Sequence, residues 1–197
     1  MITLLANAIL ASAGDRDPAY TACVADCTLP AGLCATWEDE RPLSLMITHW
    51  SCAAECSYQC MWSITTQRQA EGAVVRQYHG KWPFRRYFGF QEPAGALFSA
   101  LNAAAHASGL RSCWTLTGTA RGGWVWRATA LLQINAWIWA TIFHCRDVFW
   151  TQCADYFSAT LLIGGSALVA TWHLLDECRG ALPRRWMAAL SLLAAML

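Results

Sequence analysis

The stretch FHCRDVFWTQCADYF, residues 143–157, separates two long apolar runs. One run covers about residues 124–143 and the other about residues 156–175. Each has the roughly 20 residues that a helix needs to cross the hydrocarbon core of a bilayer. Because helices joined by a short connection run antiparallel, the stretch predicts a helical hairpin in a membrane. Its turn would lie at one membrane boundary.

The composition of the 197 residues agrees with a membrane protein. Hydrophobic residues make up 56% and charged residues 14%, against about 25% charged residues in soluble domains. The net charge of +1, without any run of Lys or Arg, predicts no nucleic-acid binding. Most acidic residues precede residue 93 and the apolar runs follow it. We therefore expect a polar N-terminal part and a membrane part.

Two further segments complete a predicted bundle of about four spans. One covers residues 93–110, and the other runs from Trp186 to Leu197. Segments 111–123 and 176–185 carry five arginines, whereas 144–155 carries only Arg146. Since Lys and Arg collect in cytosolic loops, this asymmetry predicts that the 144–155 turn is luminal. The predicted fold class is thus membrane α-helical, with a multi-span helical bundle in residues 93–197.

The N-terminal part predicts an exported, disulfide-rich lobe. Residues 1–13 have the apolar core and A-x-A end of a signal peptide, which leaves residues 14–92 as a luminal cysteine-rich lobe. An even number of cysteines in a short exported segment indicates disulfides, and six allow 15 pairings. A zinc cluster is the alternative, but the C-x3-C spacing favours disulfides. The six disulfide candidates are Cys23, Cys27, Cys34, Cys52, Cys56 and Cys60.

The segment CAAECSYQC, residues 52–60, predicts where one half of these cysteines lies. Its three cysteines recur every four residues, so they lie near one face of a helix. We expect that helix to be joined on this face to the three earlier cysteines. A lobe this small buries little core and needs such cross-links.

His144 and Asp155 mark the two ends of the predicted turn. A neutral imidazole is a good zinc ligand, and a nearby carboxylate can take a proton from zinc-bound water. The pair is therefore a candidate for metal-assisted hydrolysis at a lipid surface. Alternatively, His144 ends one helix and Asp155 caps the next, which is the simpler interpretation of two residues alone.

Four blocks of sequence resemble the GPI-anchor fatty-acid remodelling family, post-GPI attachment to proteins factor three. That family looks like a branch of the CREST superfamily of membrane hydrolases. The blocks are GDRDPAYTACVADC (14–27), WSCAAECSYQCMW (50–62), HGKWPFRRYFGFQEP (79–93) and NAWIWATIFHCRDVFWTQCADYFSA (135–159).

The resemblance implies a seven-span protein in the membrane of the Golgi or endoplasmic reticulum. It implies a phospholipase A2-like reaction that removes the sn-2 acyl chain from GPI-anchored proteins, so these proteins and membrane lipid are the implied partners. It also implies a zinc cofactor and a Ser, His and Asp motif completed by an H-x3-H pair. His144 matches the first metal-ligand histidine and Asp155 the aspartate, which would act as the catalytic base.

Two departures from the family pattern leave the enzymatic activity open. Ala140 stands where the family has a serine, four residues before His144, and no H-x3-H pair occurs in the sequence. We therefore expect either a C-terminally truncated form of an enzyme or a non-catalytic membrane protein that binds GPI-anchored clients.

Overall fold

The computed structural model describes residues 12–29, 31–117 and 123–177, which form two compact units that divide between Glu92 and Pro93. The described residues are mostly helical and contain no β-strand. The segment 1–11 of the predicted signal peptide and the predicted span 186–197 lie outside the described residues.

Within its described residues, the first unit contains four α-helices and one 3-10 turn. The helices are α1 (Pro18–Thr28), α2 (Trp37–Glu40), α3 (Leu43–Ile47) and α4 (Cys52–Ala70), and the 3-10 turn is Leu33–Ala35. Asp17 caps α1, because its carboxylate accepts a hydrogen bond from the Ala19 amide and proline occupies the first helical position. Ser51 caps α4 through the Ala54 amide at 3.3 Å.

Three disulfides join α4 to the chain before it. Cys23 bonds Cys60, Cys27 bonds Cys56, and Cys34 bonds Cys52. The pairing is antiparallel: the first of the three earlier cysteines bonds the last cysteine of α4, and the last of them bonds the first. This confirms that the three cysteines of α4 share a face and that the six form a disulfide framework.

Two small apolar clusters form the core of the first unit. One contains Tyr20, Cys60, Met61, Ile64 and Tyr78. The other contains Trp37, Leu45 and Trp50, and the partly buried Phe84 and Tyr58 pack against both clusters. Because the first cluster includes a disulfide cysteine, the cross-links and the core stabilise the same helix pair.

Two tight turns follow α4, and both have left-handed backbone at their central residues. In the first, Tyr78 and Lys81 exchange backbone hydrogen bonds of 2.8 and 2.9 Å around His79 and Gly80. In the second, Tyr87 and Phe90 do so around Phe88 (φ 51°) and Gly89 (φ 82°). Positive φ at both positions is the type I′ geometry, which favours Asn followed by Gly.

The second unit contains α5 (Pro93–Thr117), α6 (Gly123–Cys145) and α7 (Phe149–Glu177). Helix α6 packs against both of its neighbours. The His106 ring of α5 stacks on Trp137 of α6, with ring centroids 6.5 Å apart. On the other side of α6, the rings of Trp126 and His173 have centroids 5.0 Å apart. Both histidines therefore take part in helix packing.

Among the described helices, one is both long and apolar enough to cross a membrane, and it is α7, over Phe149–Asp176. Almost none of its residues is buried, so it is unlike the core helix of a soluble protein. The predicted spans 93–110 and 124–143 fall within α5 and α6. The structure thus agrees with a membrane helical protein, while the number of spans stays a prediction.

Candidate functional site

The connection between α6 and α7 brings the two predicted site residues toward each other. His144 lies in the last turn of α6 and Asp155 in the second turn of α7. Only Arg146, Asp147 and Val148 join the two helices. His144 and Asp155 therefore lie at the same end of this helix pair. Because α7 begins before it, Asp155 is not the cap of that helix.

Thr151 explains why α7 begins at Phe149 rather than near residue 156, where the apolar run begins. Its buried hydroxyl accepts a hydrogen bond from the Val148 amide at 3.0 Å. The same hydroxyl lies 2.8 Å from the carbonyl oxygens of Arg146 and Val148. This local bonding satisfies backbone groups of the connection, so the helix starts within the polar stretch.

Aromatic side chains surround the site. The Phe143 ring lies 5.5 Å from the His144 ring and 6.3 Å from the Tyr156 ring, centroid to centroid. Trp139 and Trp150 meet edge to face at 6.2 Å across the same pair of helices. These contacts hold the end of α6 against the start of α7.

Gly95 of α5 forms a third side of the site. A Cβ atom built on Gly95 would lie 2.8 Å from Nδ1 of His144, closer than real Cβ contacts. The imidazole therefore occupies space that any side chain at position 95 would need. The sequence pattern did not reveal this residue, because its role depends on a contact between α5 and α6.

We predict that Gly95→Ala displaces His144 and lowers the free energy of unfolding by about 1–3 kcal/mol, as overpacking does. Gly109→Ala in the same helix is the matched control, because no atom lies within 4 Å of its added Cβ. Alanine there should be neutral or stabilise the helix by up to about 1 kcal/mol. Thermal unfolding in detergent measures both variants, and equal effects would contradict the contact.

The position of the family serine offers no hydroxyl in this chain. Ala140 lies one helical turn before His144 on α6. The neighbouring Thr141 hydroxyl donates a hydrogen bond to the Trp137 carbonyl at 2.7 Å, within its own helix. Thr141 is therefore not oriented to replace a serine at position 140.

One group of side chains in the described residues has its donor atoms close enough together to hold a metal ion. This group is Cys34, Cys52 and Cys56, whose sulfur atoms lie within 4.8 Å of one another. All three are in disulfides, so none is the thiolate that binds zinc. His144 and Asp155 belong to no such group among the described residues. They do not complete the three-ligand set of a catalytic zinc site.

Two cysteines near the helical turn carry no cross-link, and His79 has a local structural role. Cys145 and Cys153 are free thiols and do not bond each other. The Nε2 atom of His79 lies 3.0 Å from the Tyr20 hydroxyl, and its backbone amide donates to Asp15. Burial alone would raise the pKa of Asp15, but hydrogen bonds from Ser12 and from the His79 amide bring that pKa below its usual value. His79 thus ties a turn to the start of the lobe.

The first unit contains an ion pair, largely buried, that the sequence pattern did not predict. The two terminal guanidinium nitrogens of Arg86, Nη1 and Nη2, donate hydrogen bonds to the carboxylate of Glu55, and the bond from Nη2 is 2.6 Å long. The Arg86 guanidinium also lies over the rings of Trp50 and Tyr58, at 4.8 and 4.2 Å. No sequence signal indicated this pair, because charged residues in a cysteine-rich lobe are usually solvated.

These features define a class of protein: a membrane helical protein with a disulfide-bonded lobe and a histidine–aspartate pair at a helical turn. The model of the Per1-like family matches residues 42–197. The chain therefore belongs to the Per1-like family.

Several relatives have been named for what they do. The chain is 39% identical over 173 residues to the GPI-specific phospholipase A2-like PGAP3 of Xenopus tropicalis, covering 83% of this chain and 53% of that protein. The human protein of the same name is 37% identical over 171 residues, covering 83% and 53%. The Protein PER1 homolog of Schizosaccharomyces pombe is 33% identical over 197 residues, covering 96% and 58%. The chain thus spans about half the length of these relatives, and no solved structure matches it.

Proposed function

We propose that this protein remodels the lipid of GPI anchors by a phospholipase A2-like removal of the sn-2 acyl chain. The observation that carries the proposal is the placement of His144 and Asp155 at the adjoining ends of α6 and α7, which only three residues connect. The names of the relatives support the choice of substrate, because these relatives are called GPI-specific phospholipase A2-like.

The reaction would be the hydrolysis of an ester. The oxygen of a water molecule bonds to the acyl carbonyl carbon, and Asp155 takes a proton from that water as general base. The bond between the carbonyl carbon and the glycerol oxygen then breaks, and the proton passes to the leaving oxygen. The products are a free fatty acid and an anchor with one acyl chain fewer. His144 would orient the Asp155 carboxylate.

Zinc would supply a more acidic water when bound, and His144 is the one residue here that matches a family zinc ligand. Since His144 and Asp155 supply two donors where catalytic zinc sites use three protein ligands, we assign no step of the reaction to the metal. The further histidines that the family resemblance implies are not in this sequence.

The proposed place of action is the luminal side of a secretory-pathway membrane, in the Golgi or the endoplasmic reticulum. Three disulfides favour an oxidising compartment, and α7 favours a membrane location. Residues 1–13 as signal peptide, 14–92 as luminal lobe and 93–197 as membrane domain complete this proposed organisation. GPI-anchored proteins and membrane lipid would be the partners.

One observation favours a second candidate function. Ala140 replaces the family serine and the Thr141 hydroxyl is bonded within its own helix. A chain with this site would bind GPI-anchored clients without cleaving their lipid.

A direct assay separates the two candidates. We expect microsomes that contain the expressed chain to release fatty acid from a GPI-anchored protein. Asp155→Asn and His144→Ala should each lower that release by about 10²–10⁴-fold, the usual contribution of general acid–base groups. Asp176→Asn, near the other end of α7, is the control and should retain activity. Absence of release from the unaltered chain would favour the binding function, whereas full activity of Asp155→Asn would refute the proposed base.

A further inference from the structure

The first unit exposes a set of large apolar side chains that its own packing does not explain. There are six of these side chains, and they lie on the helix α3 and on the turn Tyr87–Phe90. Phe88, at 84% exposed, is the most prominent. We call these side chains the apolar patch; its members are Leu43, Met46, Ile47, Tyr87, Phe88 and Phe90.

The turn and α3 are in direct contact, so the patch is continuous. The Trp50 indole donates a hydrogen bond to the Gly89 carbonyl at 2.8 Å. A Cβ built on Gly89 would lie 2.5 Å from the Thr48 hydroxyl and 2.7 Å from the Ser44 carbonyl oxygen. The glycine therefore allows the turn to approach α3 closely, which leaves Phe88 outward beside the exposed face of that helix.

The backbone conformation of Phe88 indicates that the exposed ring has a functional role. It holds a left-handed conformation at the first position of a type I′ turn, where asparagine is favoured and a bulky residue is strained. His79 holds the same position in the neighbouring turn, but its bonds to Asp15 and Tyr20 account for it. The Phe88 ring gains no comparable contact inside the unit, since it is 84% exposed.

Two residues before the turn Tyr87–Phe90, the sequence carries an exposed cation, Arg85, which would fit a lipid headgroup. Exposure alternates along the segment before the turn. Phe84 and Arg86 are partly buried, whereas Arg85 and Tyr87 are exposed. Lys81 pairs with Glu92 at 2.5 Å, whereas Arg85 stacks on Trp62 at 4.3 Å and has no ion pair among the described residues. An exposed cation beside Tyr and Phe is the arrangement that anchors proteins at a membrane interface, where the cation meets lipid phosphate.

The patch is close in sequence to the start of the second unit. Phe90 lies three residues before Pro93, where α5 begins. Three residues reach at most about 10 Å, since an extended chain spans no more than 3.3–3.6 Å per residue. The second unit contains the helix that is long and apolar enough to cross a membrane. A bilayer that holds this helix is therefore an apolar surface to which the same chain is anchored.

We propose that the apolar patch is a bilayer-docking surface, which inserts Phe88 and its neighbours among the lipids of the membrane that holds the second unit. The occupant is the phospholipid bilayer itself, and Arg85 meets its phosphates. This role is independent of whether the protein hydrolyses GPI lipid. It would keep the disulfide-bonded lobe at a lipid surface in either case.

Photo-crosslinking of the full chain in microsomal membranes tests the proposal. p-Benzoylphenylalanine replaces Phe88 in one variant, and Val74, which is 78% exposed elsewhere on the lobe, in the control. We expect phospholipid adducts, identified by mass, to be about tenfold more abundant from position 88, because an inserted ring lies among acyl chains. Protein adducts or no adducts at position 88, or equal lipid adducts at both positions, would overturn the proposal.

A second pair of variants distinguishes docking from folding. Phe88→Asn suits the type I′ turn, so the three disulfides should form as before. With the photo-probe at Ile47, phospholipid adducts should fall about tenfold in Phe88→Asn, since the anchoring ring is gone. Val74→Asn should leave them unchanged. Unchanged adducts in a correctly disulfide-bonded Phe88→Asn protein would also overturn the proposal.

Discussion

Replacing Glu55 by glutamine should destabilise the first unit by about 3–5 kcal/mol, the effect of breaking a buried ion pair from one side. Glu55 is 3% exposed and accepts hydrogen bonds from Arg86 and from Gln59. Glutamine is neutral, so the substitution leaves the positive charge of Arg86 without an anionic partner. That charge is largely buried and lies over two aromatic rings. The penalty comes chiefly from that unpaired charge rather than from the lost attraction.

Glu38→Gln is the matched control. Glu38 pairs with Arg41, but its side chain is 76% exposed, and such surface pairs contribute about 0–1 kcal/mol. Denaturant unfolding followed by tryptophan fluorescence measures both variants. The double variant Glu55→Gln with Arg86→Met should lose less than the two single changes added together, because it leaves no buried charge unpaired. Equal stability of Glu55→Gln and Glu38→Gln would show that the Glu55 pair is not buried in solution.

Removing the Cys23–Cys60 disulfide should cost about 2–5 kcal/mol, as for disulfides of other small exported domains. The bond joins residues 37 positions apart, and it restricts the unfolded chain in addition to the Cys27–Cys56 bond nested within it. Cys60 is also buried in the cluster of Tyr20, Met61 and Tyr78, so the change disturbs packing as well. The test variant is Cys23→Ala with Cys60→Ala.

Cys145→Ala with Cys153→Ala is the control for this experiment, since both thiols are free. We expect a change in unfolding free energy near zero, within about 0.5 kcal/mol, because no cross-link is lost. Resistance to protease and mobility on non-reducing gels report the folded, cross-linked lobe. A Cys23 and Cys60 variant as protease-resistant as the control would contradict the structural role of the bond.

The helix α4 shows what the sequence could predict about the fold. Cysteines at every fourth position place three sulfurs on one helical face, and the structure confirms this. The pairing could not be predicted, because 15 arrangements satisfy the same spacing. It depends on the antiparallel approach of α1 to α4, which is a tertiary contact.

The ion pair of Glu55 with Arg86 escaped prediction for a similar reason. The two residues are 31 positions apart, and neither a helical period nor a local motif connects them. Charged residues in a cysteine-rich lobe are usually solvated, so the pattern alone favours exposure. Only the meeting of α4 with the segment after it buries Glu55 and covers most of Arg86.

The candidate site was predictable as a hairpin but not in its details. Apolar runs on both sides of residues 143–157 indicate two helices, and the structure brings His144 and Asp155 together where they meet. The early start of α7 depends on the hydroxyl of Thr151. The contact of Gly95 with His144 depends on α5, and sequence spacing does not encode it.

Cross-linking across the helical turn tests the central claim most directly. In a chain whose thiols at positions 113, 145, 153 and 178 are serine, His144→Cys is combined with Asp155→Cys, or with Ser166→Cys farther along α7. Mild oxidation in membranes should join positions 144 and 155 rapidly and leave 144 and 166 unjoined. If the first pair fails to cross-link, or reacts no faster than the second, the two residues do not form one site.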